Sequence, residues 1–115
     1  MADSDYAAGR AELDLRKGVL VLAVLSRLRS AEYGYSLRQA LATHGMPIEE
    51  GTLYPLLRRL EGQGLLASEW RIEDGPPRRY YRLSPVGEQA LRALANGWRD
   101  LVGVMEGLLA QETEA

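Results

Sequence analysis

The chain contains no cysteine, so it can hold neither a disulfide framework nor a thiolate metal site, and nothing in it reports a redox compartment. It has one histidine, His44, in a segment expected to be a loop. A histidine-based nucleophilic centre or a zinc site needs partners that are missing. A glycine-rich phosphate loop is missing too. An enzyme reading therefore fails for want of parts, and no catalytic residue, metal ligand or cofactor is expected. The apolar run "GVLVLAVL" over residues 18–25 is too short to cross a bilayer, and the acidic segment before it does not resemble a signal peptide, so a soluble, cytoplasmic protein is expected.

An overall basic excess is also absent. The formal net charge is -2 and the pI about 5.4, whereas phosphate binding usually leaves a basic footprint. The distribution changes that picture. Residues 1–15 and 100–115 hold eight acids and one base, Arg10, which leaves thirteen bases against eight acids between 16 and 99, a net of +5. All of those bases except Lys17 are arginines. Charge asymmetry by itself reports partners weakly, so the pattern of residues has to carry the argument.

With 115 residues the chain makes one domain, which at this size buries only about 60 to 70% of its unfolded surface, so an oligomer would help it. From about Leu13 to Arg29 the apolar positions crowd together over a helical length. The segment "SAEYGYSLRQALATHG" reads as a turn and a second helix, with Leu37 and Leu41 four apart and Gly45 as its stop. After "MPIEE", the stretch "EGTLYPLLRRLEGQGLL" places Leu53, Leu56, Leu57 and Leu60 on one helical face, ended by Gly62 and Gly64. Residues 65–72 alternate, with Leu66, Ser68, Trp70 and Ile72 on one side. "RRYYRL" makes a second strand across a turn carrying Gly75, Pro76 and Pro77. Ser84 and Pro85 suit an N-cap and first helical position for a fourth helix reaching roughly Gln111.

Three helices, a β-hairpin and a long final helix describe a mainly α fold with a small hairpin, a winged helix-turn-helix. Residues 1–83 would form the DNA-binding domain, with 1–10 expected to be disordered, and 84–115 a C-terminal dimerisation helix. If the leucine face of helix 3 is core, Thr52, Tyr54, Pro55, Arg58 and Arg59 face solvent. Hydroxyls and guanidinium groups at the start of the second helix of such a motif can meet base edges or phosphates in the major groove. Pro55 would cost roughly 3 kcal/mol in a helix interior but much less near the first turn. Arg78 and Arg79 follow the hairpin turn and would meet phosphates, while Glu73 and Asp74 in the turn would repel them. Tyr80 and Tyr81 read as strand packing.

In helix 4, Leu91, Leu94, Trp98, Leu101, Met105 and Leu108 run at spacings of 3, 4, 3, 4 and 3, with Ala95, Val102 and Leu109 widening the stripe. That is an a/d seam, and one narrow domain cannot cover it, so a homodimer is expected with part of the stripe packed on helix 1. Gly97, Gly103 and Gly107 weaken the isolated helix, which again points to packing.

The segments "YGYSL", "EGTLYPLLRRLEGQGLL", "SEW" and "GPPRRYYRLSPVG" resemble, in order, the motifs of the PadR family of bacterial transcriptional regulators, over residues from about 15 to 87. The resemblance implies a dimeric winged-helix repressor whose helix 3 reads a palindromic operator, whose wing touches the backbone and whose last helix forms the dimer. It further implies control of its own gene or of a neighbouring transporter or stress gene, with release by a small aromatic compound in some members. Some small members trap flat aromatic molecules between paired interface tryptophans, which would make Leu94, Trp98, Leu101 and Met105 a ligand site; plain core packing is the alternative. Glu49 departs from the pattern, since members often carry a capping serine there. A winged-helix interaction module without DNA binding is the other reading that the acidic pI allows.

Overall fold

In the computed structural model, residues 2–114 are described, with side chains for residues 4–110. The elements are α1 (Ala2–Arg27), β1 (Glu32–Tyr33), α2 (Gly34–Thr43), α3 (Glu50–Gly62), β2 (Leu66–Arg71), β3 (Arg78–Leu83) and α4 (Pro85–Glu114). The architecture is the expected winged helix with a long final helix, and the hairpin is joined by a short third strand. The antiparallel sheet runs β1-β3-β2, with Tyr33 opposite Tyr80, Ser68 opposite Tyr81 and Trp70 opposite Arg79. Two residues are too few to show an alternating pattern, so β1 read as a turn.

Helix α1 begins at Ala2 rather than near Leu13, so residues 2–10, expected to be disordered, are helical. Its early turns are exposed and held by contacts along the helix surface. Arg10 reaches the Tyr6 hydroxyl at 3.1 Å, Arg16 pairs with Glu12 at 3.2 Å and Lys17 with Asp14 at 3.3 Å. Such pairs stabilise a solvated helix by a few tenths of a kcal/mol each and leave no hydrophobic period to read.

The core gathers Val24 and Leu25 of α1 with Leu28 just after it, Leu37 and Leu41 of α2, the four leucines of α3, and Leu66, Tyr81, Leu83 and Leu91. Burying each leucine contributes about 1.5–3 kcal/mol relative to exposure. Ser84 caps α4 as expected: its Oγ accepts from the Gly87 N–H at 2.9 Å and donates to the Gly64 carbonyl at 2.6 Å. Gly64 ends the α3 region in the left-handed conformation, φ +82°, with its N–H on the Glu61 carbonyl and that of Leu65 on the Leu60 carbonyl. This paired closure reverses the chain into β2 and leaves Glu61 beside the hairpin.

Pro55 is the sixth residue of α3, past the first turn, so the helix loses one internal hydrogen bond there. The orphaned carbonyl belongs to Gly51, which is exposed and open to water. Glu49 is the N-cap without a side-chain bond, and Glu50 in the first turn pairs with Arg38 at 3.1 Å.

The molecule measures 58 × 36 × 24 Å with a radius of gyration of 17.1 Å, against about 13 Å for a compact domain of this length. The excess comes from the first turns of α1 and the last turns of α4, which project beyond the core and whose described side chains are exposed.

Candidate nucleic-acid interface

Helix α3 buries Leu53, Leu56, Leu57 and Leu60 and exposes Thr52, Pro55, Arg58 and Arg59. Neither arginine has an ion-pair partner among the described residues. Tyr54 differs from the expectation. It is half-buried against the core, and its ring lies where a Cβ on Gly34 would stand, with ring carbons 2.6 Å from that position. Helical rotation puts Tyr54 at the edge of the leucine face, so α2 covers part of it, and only glycine at the start of α2 leaves room.

In the wing, strand alternation sends Arg78 and Arg79 to opposite faces. Arg78 is exposed and lies over the Tyr33 ring at 4.5 Å, and Arg71 lies over Tyr80 at 4.2 Å while pairing with Glu69 at 2.8 Å. Arg79 points the other way, toward α3. Its Nη2 donates to Glu61 at 2.9 Å and its Nε to the Ser68 hydroxyl at 3.0 Å, so it is not the free wing cation that its place in "RRYY" suggests. Behind it, burial pushes the Tyr81 phenol above its ordinary value, with the Arg79 charge opposing, so Tyr81 stays neutral at working pH.

Between α3 and the wing lies a notch of about 390 Å³. Tyr33, Tyr54, Arg58, Trp70 and Arg78 line it, together with Arg79. Trp70 shares the Ser68 and Tyr81 face, as alternation implies, but extends past the cover of α3 and is 65% exposed. Tyr33, Gly34, Glu61, Ser68 and Trp70 went unrecognised as site residues. The pairing of Trp70 with Arg79 and of Ser68 with Tyr81 would reveal Ser68 and Trp70, but the hairpin turn leaves the register open until the strands are seen.

The acidic turn residues Glu73 and Asp74 are exposed at the wing tip. His44 is exposed with Nδ1 2.9 Å from the Ala40 carbonyl, and no group of three or more metal-ligating side chains is found among the described residues. No helix among those residues is long and apolar enough to cross a membrane.

The stripe on α4 divides. Leu91, expected in a dimer seam, is 5% exposed and belongs to the chain's own core, because the first turns of α4 lie over Leu83 and α1. Leu94, Trp98, Leu101, Val102, Met105 and Leu108 are exposed. An apolar groove of about 440 Å³ runs between α4 and α1, bringing Leu94, Trp98, Leu101 and Met105 together with Leu15 and Leu22.

This arrangement of helices and wing is shared by solved structures of transcriptional regulators. A Transcriptional regulator Rv3488 of Mycobacterium tuberculosis is 48% identical over 75 residues, covering 62% of this chain and 70% of its own. The crystal structure of a PadR family transcriptional regulator from Eggerthella lenta matches with a TM-score of 0.89 at 48% identity, covering 95% of this chain and 97% of that one. A PadR-like transcription factor from Bacteroides fragilis matches with a TM-score of 0.72 at 35% identity, covering 86% and 98%. The model of the Transcriptional regulator PadR-like family matches residues 21–93, the whole span from the core of α1 to the first turns of α4. With sequence, fold and relatives in agreement, the chain belongs to the PadR-like family of transcriptional regulators.

Proposed function

We propose that the protein is a homodimeric, sequence-specific DNA-binding repressor that inserts α3 into the major groove and rests its wing on the phosphate backbone. The observation that carries this is the exposure of Thr52, Arg58 and Arg59 on α3, with Arg58 and the wing's Arg78 lining one notch, in a chain that carries a net charge of +5 between residues 16 and 99. Base edges are read from the helix, and phosphates fix the register. A dimer seated over a promoter blocks transcription by occupancy alone, which suits control of its own or a neighbouring transporter or stress gene.

The exposed stripe of α4 supports the dimer. Two-fold symmetry then requires an inverted-repeat operator with half-sites about one DNA turn, or a multiple, apart. Selection of duplexes from a random pool, followed by footprinting, tests the reading directly. A single asymmetric half-site bound by a monomer would remove the symmetry claim. If no duplex is retained with salt-dependent affinity, a protein-interaction role replaces the DNA role. Within this scheme Arg78→Ala weakens binding to operator and scrambled duplexes alike. It also lowers the slope of log affinity against log salt by about 0.9, the value for one phosphate contact.

The groove at Trp98 suits a small planar aromatic effector. Its walls are apolar, Met105 adapts to varied shapes, and α1 and α4 both contribute, so an occupant would change how the helices pack. Titration with planar aromatic compounds should quench Trp98 and loosen operator binding, while Trp98→Ala, with Trp70 still emitting, should show no response. If no compound quenches Trp98 and Trp98→Ala only breaks the dimer, the indole is interface core.

A further inference from the structure

Glu61, Ser68 and Arg79 close a ring across the three elements of the interface. The Glu61 carboxylate uses both oxygens: Oε1 accepts from Arg79 Nη2 at 2.9 Å and Oε2 from the Ser68 hydroxyl at 2.6 Å. The same hydroxyl accepts from Arg79 Nε at 3.0 Å. One hydroxyl thus serves as donor and acceptor, and each member has a complementary role. Glu61 stands at the end of α3, Ser68 in the middle of β2 and Arg79 near the start of β3, and all three are partly shielded from water.

We infer that this ring is a strut that sets the angle of the wing against the recognition helix, so that Glu61, Ser68 and Arg79 are positioning residues for operator specificity. The inference rests on the DNA-binding reading and deepens it. Arg78 lies over the Tyr33 ring, a contact that leaves its charge unneutralised and available to a phosphate. Arg79, by contrast, meets a full carboxylate and contributes little field outside the protein. Non-specific affinity follows positive charge, whereas operator binding needs base-edge and phosphate contacts in register at once. Loosening the strut therefore harms operator preference more than non-specific binding. Removing the Glu61 charge makes the face more positive, so the two affinities should not fall together.

The test uses the full chain with a duplex that the wild type selects and a scrambled duplex, measured from low to high salt. Glu61→Gln should reduce the ratio of operator to scrambled affinity roughly tenfold, the loss of one charge-assisted bond, without weakening scrambled binding. Arg79→Gln should reduce the ratio similarly while leaving the salt slope unchanged. The double variant should be no worse than either single one, because both break the same ring. Ser68→Ala, a small change with little risk to folding, should show the same direction with a smaller drop. The inference is overturned if Glu61→Gln leaves the ratio unchanged, if Arg79→Gln flattens the salt slope by about 0.9 as a phosphate ligand would, or if the two losses add. A wild type that selects no duplex fails earlier and differently, taking the DNA reading and the strut with it.

Discussion

Leu101→Glu is expected to leave each protomer folded and to abolish tight operator binding. Leu101 is 59% exposed on α4, so the protomer's own core does not depend on it. It lies in the middle of the projecting stripe, between Trp98 and Met105 in the same groove. In a two-fold dimer a carboxylate there would be introduced twice and stripped of water without a cationic partner, a strongly unfavourable arrangement. The expected result is a monomer by light scattering with its helical content largely retained. Operator affinity should fall by at least about a hundredfold, because binding of the second half-site is no longer intramolecular. Retention of a dimer at micromolar concentration, with operator affinity intact, would show that α4 does not form the interface.

Gly34→Ala should destabilise the fold by about 1–3 kcal/mol, the usual cost of forcing extra volume into a packed site. The opposing effect is real, since alanine is favoured over glycine in a helix by roughly 0.5–1 kcal/mol. The geometry makes the steric effect larger. The added Cβ would overlap the Tyr54 hydroxyl and stand 2.6 Å from two ring carbons, and Tyr54 is confined because it packs on the core from α3. Moving it means moving the face that carries Arg58, so operator preference should fall with stability. Denaturant unfolding of Gly34→Ala in wild-type and Tyr54→Phe backgrounds measures the contact. The cost should shrink without the hydroxyl, the nearest atom. An increase in stability from Gly34→Ala in the wild type would mean that Tyr54 swings aside freely and does not set the spacing of α2 and α3.

The candidate site was only partly legible before the structure. Thr52, Pro55, Arg58 and Arg59 follow from one periodic argument, because the leucines of α3 define its outer face by subtraction. Arg78 and Arg79 looked equivalent in "RRYY", yet neighbours on a strand point to opposite faces, and the partners of each come from other elements. One is left on an aromatic ring and the other is locked to Glu61. Tyr54 was placed wholly outside because a helical wheel does not show that α2 wraps over its edge.

Local physics was enough to place α2, α3, the hairpin strands and the start of α4. The leucine spacing, the serine and proline before α4, the glycine after α3 and the alternation of β2 each act within a few residues, where backbone geometry and hydrogen bonding leave few choices. Only the tertiary structure decided what those faces meet. It drew Leu91 into the chain's core while leaving Trp98 outside, paired the two residues of β1 with β3, and began α1 at Ala2. It also joined Glu61, Ser68 and Arg79, which stand 7 and 11 residues apart along the chain, into one ring. Such contacts depend on register, on how far one helix covers another and on which side of a sheet an adjoining helix lies. Those are distances in space between elements, and hydropathy along a chain does not carry them.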